Sequence, residues 1–132
     1  YEGARILLNG TPEDLRAVPE ADGLQLASTA IMGLTQRPIA DNKLLGVSTH
    51  NDVEMAKALA IGADFMLLSP VKKTQSHPEL GGLGWLRFAE RVANVPVPVF
   101  ALGGMKPADA EQARQYGGQG IAATVGLWPE PM

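Results

Sequence analysis

Residues 97–128, VPVFALGGMKPADAEQARQYGGQGIAATVGLW, constrain the fold more than any other part of the chain. They spell two consecutive strand-to-helix units. An apolar strand of Val97, Val99, Phe100 and Ala101 runs into Leu102-Gly103-Gly104, and Pro107 opens an amphipathic helix through Ala110, Ala113 and Tyr116. A second apolar strand, Gly120-Ile121-Ala122-Ala123-Thr124, follows and ends at Gly126. Glycines at the ends of neighbouring parallel strands bring backbone N–H groups to a phosphate oxygen with no Cβ in the way, and the next helix N-terminus adds positive potential. Each glycine taken alone also serves as a plain tight turn. The pair closing the chain favours an anion site, because the usual phosphate site of a (β/α)8 barrel is built from its last two strand-end loops.

The same unit recurs upstream. Ala4–Leu8 is an apolar run ending at Asn9-Gly10, and Thr11-Pro12-Glu13-Asp14 then supplies an N-cap, a proline at N1 and first-turn acids for a helix running to about Ala21. Strands are predicted at Asp22–Leu26 and, after a polar connection containing Pro38, at Leu44–Ser48. Asn51 with Glu54 reads as a capping box, followed by an apolar stripe of Val53, Ala56, Leu59 and Ala60 that Gly62 stops. Phe65–Leu68 is continuously apolar, the pattern of a strand buried on both faces. Leu86, Ala89 and Ala93, flanked by Phe88 and Val92, mark another helix. Glu20–Gly23, Ile61–Asp64 and Gly117–Gly120 echo one another where a helix ends and a strand begins, with glycine as the C′ residue. About six strands and five helices result, a barrel or a doubly wound sheet, and no G-x-G-x-x-G follows the first strand to favour the latter.

Composition narrows the function classes. The 132 residues are 45% hydrophobic and 19% charged, enough for one domain with a sizeable core. A net charge of −3 without a basic run argues against a nucleic-acid partner, and no apolar stretch approaches the roughly 18 residues of a membrane span. The absence of cysteine excludes disulfides and thiolate metal sites and fits a cytoplasmic location. Entry into a strand within a few residues of Tyr1 suggests an N-terminally truncated domain.

The order and spacing of Gly46-Val47-Ser48-Thr49-His50, Ser69-Pro70-Val71 with Thr74 and Ser76, Leu102-Gly103-Gly104-Met105 and Gly120–Thr124 resemble thiamine phosphate synthase and its TenI relatives. The stretch SPVKKTQSHPELGGLGW at 69–85 with Gly126-Leu127-Trp128 is most similar to the version fused behind a Nudix (MutT-type) hydrolase. The resemblance implies a TIM (β/α)8 barrel, here an incomplete portion with about the last six βα units, that joins a pyrimidine pyrophosphate to a thiazole phosphate and releases pyrophosphate with magnesium. It implies that Ser48 lies near the pyrophosphate and pyrimidine, that Thr74 and Ser76 stand for two loop threonines, and that Gly104 holds the thiazole phosphate. Gly103, Thr124 and Gly126 complete the phosphate group, and Asn9 is a further ligand contact.

The departures bear on the chemistry. The family aspartate after Asn9 is Gly10 here, and Ala27-Ser28-Thr29-Ala30 holds no acid where a second is expected. A hard Mg²⁺ needs such oxygen ligands, so no metal residues are assigned. The family lysine aligns with His77, which is a phosphate or acid–base contact or else a solvated loop residue. Pro70 replaces the TenI histidine. Lys72 and Lys73 read as a solvated face or, with Thr74 and Ser76, an anion-gathering loop; His50, Trp85 and Trp128 read as structural. Two functions stand: synthesis of thiamine phosphate from small phosphorylated heterocycles, and a non-catalytic accessory domain of a Nudix nucleoside polyphosphate hydrolase. Two open strand edges are expected to recruit a second copy or an N-terminal segment.

Overall fold

The computed structural model of the chain describes residues 4–72 and 82–123. Contacts divide the chain into two compact units, Tyr1–Met66 and Leu67–Met132. The first holds β1 (Leu7–Asn9), α1 (Pro12–Ala17), β2 (Gly23–Leu26), α2 (Ser28–Ile31), β3 (Leu44–Thr49), α3 (Asp52–Ala60) and the start of β4 (Phe65–Leu68). The second holds the end of β4, α4 (Trp85–Val92), β5 (Val99–Ala101), α5 (Asp109–Gln115) and β6 (Gly120–Ile121). Strands and helices alternate among the described residues, as the repeated unit predicts.

In the first unit β1, β2 and β3 pair in parallel, with Leu8 opposite Leu24 and Leu24 opposite Leu45. Leu24, Leu26, Leu45 and Val47 are at most 3% exposed, and α1, α2 and α3 pack on these strands. Each full leucine burial is worth about 1.5–3 kcal/mol, and a one-residue slip of either strand would turn its two buried residues to the opposite face. That opposite face, carrying Leu7, Asn9, Gln25 and Ser48, is only partly covered. β4 alternates in the same way: Met66 and Leu68 are buried while Phe65 and Leu67 are half-buried. Its unbroken apolar run therefore does not mean equal burial of both faces.

Two aspartates fasten the heads of these strands. Asp22 N–H donates to Ile6 O at 2.8 Å and its Oδ2 accepts from Ile6 N–H at 2.8 Å. Asp64 makes the same double contact with Leu45. Gly23 then starts β2, and a Cβ there would lie 2.8 Å from the Leu44 carbonyl carbon. Its role is close strand approach and not the predicted C′ turn.

Helix ends follow local chemistry. Thr11 and Asp14 form a full capping box on α1, which stops at Ala17 rather than near Ala21 because Val18 precedes Pro19 and leaves the helical region. The polar connection also contains α2, a single turn anchored by fully buried Ile31, which the sequence pattern does not reveal. Asn51 Oδ1 caps α3 by accepting from Glu54 N–H at 2.8 Å. Glu54 Oε1 returns the bond to His50 N–H, at 2.7 Å, in place of Asn51 N–H, so the box is displaced by one residue. The buried face of α3 is Met55 and Ala58, with Val53 67% exposed, which corrects the predicted stripe. Gly62, at φ +82°, ends α3 in a Schellman motif, its N–H donating to Leu59 O and Ala63 N–H to Ala58 O.

In the second unit Leu102 N–H donates to Leu68 O, and β5 pairs with β6 in parallel, Phe100 opposite Gly120. α4 buries Phe88 and Val92 while Leu86 stands 74% exposed, the reverse of the predicted face. Trp85 packs edge-on against Phe88 and stacks on Tyr116 with centroids 5.7 Å apart, the structural role expected of it. α5 starts at Asp109, two residues after Pro107, and ends in a second Schellman motif at Gly117.

Candidate functional site

Asn9 closes β1, and the parallel register sets it opposite Gln25, with Gln25 opposite Gly46. Ser48 lies two residues beyond Gly46 on the same face of β3, since side chains alternate along a strand. Gln25 Nε2 donates to Ser48 Oγ at 3.0 Å. A Cβ at Gly46 would collide with Gln25 Oε1 and with the Phe65 ring, so glycine makes room for both. The result at the C-terminal ends of β1, β2 and β3 is a row of two amides and one hydroxyl on the partly covered face. Asn9 is exposed, and Gln25 and Ser48 are half-buried. In parallel α/β proteins ligands bind at this end of the strands. Gln25 is missed by motif matching; its signal is one polar residue between Leu24 and Leu26 in an apolar strand.

The second unit holds the glycine turn. Gly103 has φ +110° and Gly104 φ +68°, backbone conformations that favour glycine. A Cβ on Gly103 would also lie 2.7 Å from Pro70 Cα. Val71 N–H donates to Leu102 O at 2.9 Å and Lys72 N–H to Gly103 O at 3.2 Å. In a trans peptide the N–H points opposite to its C=O. Fixing these two carbonyls therefore aims the Gly103 and Gly104 N–H groups away from Val71 and Lys72, and successive oriented amides attract anions. Gly104 is exposed.

Asp109, 9% exposed, ties this turn to its surroundings. Its Oδ2 accepts from Lys106 N–H at 2.9 Å and its Oδ1 from Lys72 Nζ at 2.8 Å. Burial acts to raise the Asp109 pKa, but the hydrogen bonds from Lys72 and Lys106 N–H and the two lysine charges hold it below the ordinary carboxylate value. Lys72 is thus exposed, as a solvated face implies, with its ammonium paired to a carboxylate. His50 Nδ1 lies 2.9 Å from Glu54 Oε1 at the α3 cap, in keeping with its structural reading. Thr74, Ser76, His77, Thr124, Gly126, Lys73 and Trp128 lie outside the described residues.

The family model described as "Thiamine monophosphate synthase" matches residues 2–127. The chain belongs to the thiamine monophosphate synthase family. A thiamine-phosphate synthase of Chloroflexus aurantiacus is 32% identical over 91% of this chain and 56% of its own length. One from Thermosynechococcus vestitus is 32% identical over 91% of this chain and 34% of its own. The structure of thiamine phosphate pyrophosphorylase from Pyrococcus furiosus superposes with a TM-score of 0.69 and 27% identity, covering 92% of this chain and 57% of that one. The fold is therefore that of this TIM-type family. The chain spans less than two thirds of the length of the first curated relatives it matches, between 56% and 63%.

At the two positions where the family resemblance implies magnesium carboxylates, the described residues carry none. Among them no three His, Asp or Glu side chains cluster as a metal site. Gly10 carries no carboxylate, and the nearest acid, Asp14, gives its Oδ2 to Thr11 N–H at 2.9 Å as part of the α1 cap. The segment around α2 is Ala27-Ser28-Thr29-Ala30, again without an acid.

Proposed function

We propose that this chain is the ligand-binding portion of a thiamine phosphate synthase. The Gly103–Gly104 turn takes the phosphate of a thiazole phosphate, and Ser48, with Asn9, contacts the pyrimidine pyrophosphate. The observation that carries this reading is the pair of positive-φ glycines whose carbonyls are pinned by Val71 and Lys72. Pinning costs nothing at the moment of binding, so the amides are pre-organised for an anion. Thr124 and Gly126 belong to the same proposed phosphate group, and Thr74, Ser76 and His77 to the proposed pyrophosphate contacts.

In the reaction, a thiazole nitrogen would displace pyrophosphate from the pyrimidine methylene carbon. The residues described here bind and orient the two partners; they bring no carboxylate pair to hold a metal. The chain by itself is accordingly assigned weak condensation, with magnesium-dependent turnover resting on ligands other than Gly10 and Ala27–Ala30. The same lack of acids favours a second reading, a non-catalytic ligand-binding accessory domain. Cytoplasmic placement belongs to this proposal and is supported by the absence of cysteine; among the described residues no helix is long and apolar enough to cross a membrane.

Calorimetry with thiazole phosphate tests the turn. Gly104→Val forces a β-branched residue into a positive φ and is expected to abolish binding; unchanged affinity ends the reading. An assay of thiamine phosphate formation with and without chelator tests the chemistry. Robust, chelator-sensitive turnover by this chain would show that other acids hold the metal and would remove the support for the accessory role.

A further inference from the structure

We propose that Gln25 is a positioning residue: its side-chain amide occupies one acceptor site of Ser48 Oγ and so commits the Ser48 proton to an acceptor on the ligand. The inference rests on the reading of Ser48 as a ligand contact and adds how that hydroxyl is aimed. A serine hydroxyl has one proton and two acceptor sites. With Gln25 Nε2 donating to Oγ at 3.0 Å, the hydroxyl proton has to be given to a different acceptor.

The fold holds the amide in place. Gln25 is locked in the ladder by its neighbours Leu24 and Leu26, which are 0% and 3% exposed on the opposite face. Its Oε1 fills the space above Gly46, where a Cβ would collide with it and with the Phe65 ring. A primary amide keeps its donors at every pH, whereas a carboxylate in the same place is an acceptor and would take the serine proton for itself. The ligand chemistry this selects is a hydrogen-bond acceptor at the C-terminal end of β3, either a pyrimidine ring nitrogen or a phosphate oxygen of the same substrate.

The test measures the affinities of the wild type, Gln25→Met, Ser48→Ala and the double variant for the pyrimidine alcohol and for inorganic pyrophosphate, with Gln25→Glu followed over pH. Gln25→Met is expected to weaken binding about two- to tenfold, the range of one neutral hydrogen bond. The double variant should bind no worse than Ser48→Ala, because Gln25 acts through Ser48. Gln25→Glu should weaken, at neutral pH, binding of whichever probe Gln25→Met weakens and recover, relative to wild type, as the new carboxyl protonates near its ordinary value of about 4.3 and becomes a donor. A purely structural role predicts no such recovery.

The probe that loses affinity names the acceptor: the alcohol points to the ring, inorganic pyrophosphate to the phosphate. Additive losses in the double variant, or a pH-flat Gln25→Glu, overturn the role of Gln25 while leaving Ser48 as a contact. Full affinity in Ser48→Ala, or no binding of either probe by the wild type, overturns both this inference and the assignment of Ser48. Thiazole phosphate binding at Gly104 is judged separately.

Discussion

Asp64 binds Leu45 through both its main chain and its side chain: Asp64 N–H donates to Leu45 O at 2.7 Å, and Asp64 Oδ2 accepts from Leu45 N–H at 2.8 Å. In a parallel ladder alternate residues serve alternate neighbours. Leu44 N–H accordingly turns the other way, to Asp22 O at 2.9 Å. Two aspartates thus set the register of β3 from opposite sides. Arg37 reinforces the first of them, donating to Asp64 Oδ2 at 3.1 Å and to the carbonyls of Gly62 and Lys43.

Asp64→Ala removes the acceptor for a peptide N–H on a residue with no exposure. An unsatisfied buried donor costs about 1–3 kcal/mol, so the urea midpoint should fall by that equivalent, and the Leu45 amide should exchange faster. Asp64→Asn keeps a side-chain carbonyl and should lose clearly less. Equal losses in the two variants would show that charge, not the acceptor, is what matters.

Gly23→Ala places a methyl group against the Leu44 backbone, with the carbonyl carbon 2.8 Å from the new Cβ. Backbone cannot swing aside as a side chain can, so the two strands must separate. The expected loss is about 1–3 kcal/mol, the range for overpacking, read as a lower thermal midpoint. An unchanged midpoint would mean the β2–β3 spacing is looser than described.

Asp109 carries a pH dependence. Its folded-state pKa is held below the ordinary value of 3.8, so the folded state binds this proton less readily than the unfolded chain. The stabilisation is fully present above the unfolded value and is lost as pH falls through the folded one. Stability measured from pH 6 downward should drop less steeply in Asp109→Asn than in the wild type. Parallel curves for the two proteins would refute the Lys72–Asp109 assignment.

Within the described residues β1 pairs with β2 alone, and Ile6 beside it is 67% exposed. A strand edge of this kind invites a further strand. Light scattering is expected to give more than one chain per particle, or a complex with an N-terminal piece supplied in trans. A monomer whose Leu7–Asn9 amides exchange as slowly as those of β3 would contradict it.

Much of the fold is legible in the residues. Phe65–Leu68 is read at its observed bounds, and the Thr11 and Asn51 caps stand where the side-chain chemistry puts them. Helix faces are less legible. α3 offers two stripes of similar apolarity, Val53 with Ala56 and Met55 with Ala58, and only the neighbouring strand decides which one is buried. The same ambiguity reverses Leu86 and Phe88 in α4. The echo at Asp22 and Asp64 is visible as a repeat, yet nothing in the sequence says that the aspartate reaches back to the preceding strand. The Lys72–Asp109 pair joins residues far apart in the chain, a contact that one sequence cannot show.

The left-handed glycines also limit how this chain can be made more robust. Exchanging glycine for alanine ordinarily stabilises a protein by about 0.4–1 kcal/mol by narrowing the freedom of its unfolded state. Gly62, Gly84, Gly103, Gly104 and Gly117 all have positive φ, where an alanine methyl is strained and that gain is forfeited. Gly33 is different, with no positive φ and nothing within 4 Å of an added Cβ. The pivots that shape the anion turn and stop the helices therefore hold their entropic freedom permanently. Rigidity added by substitution at Gly33 enters through the connection after α2, away from the glycine turn on which binding depends.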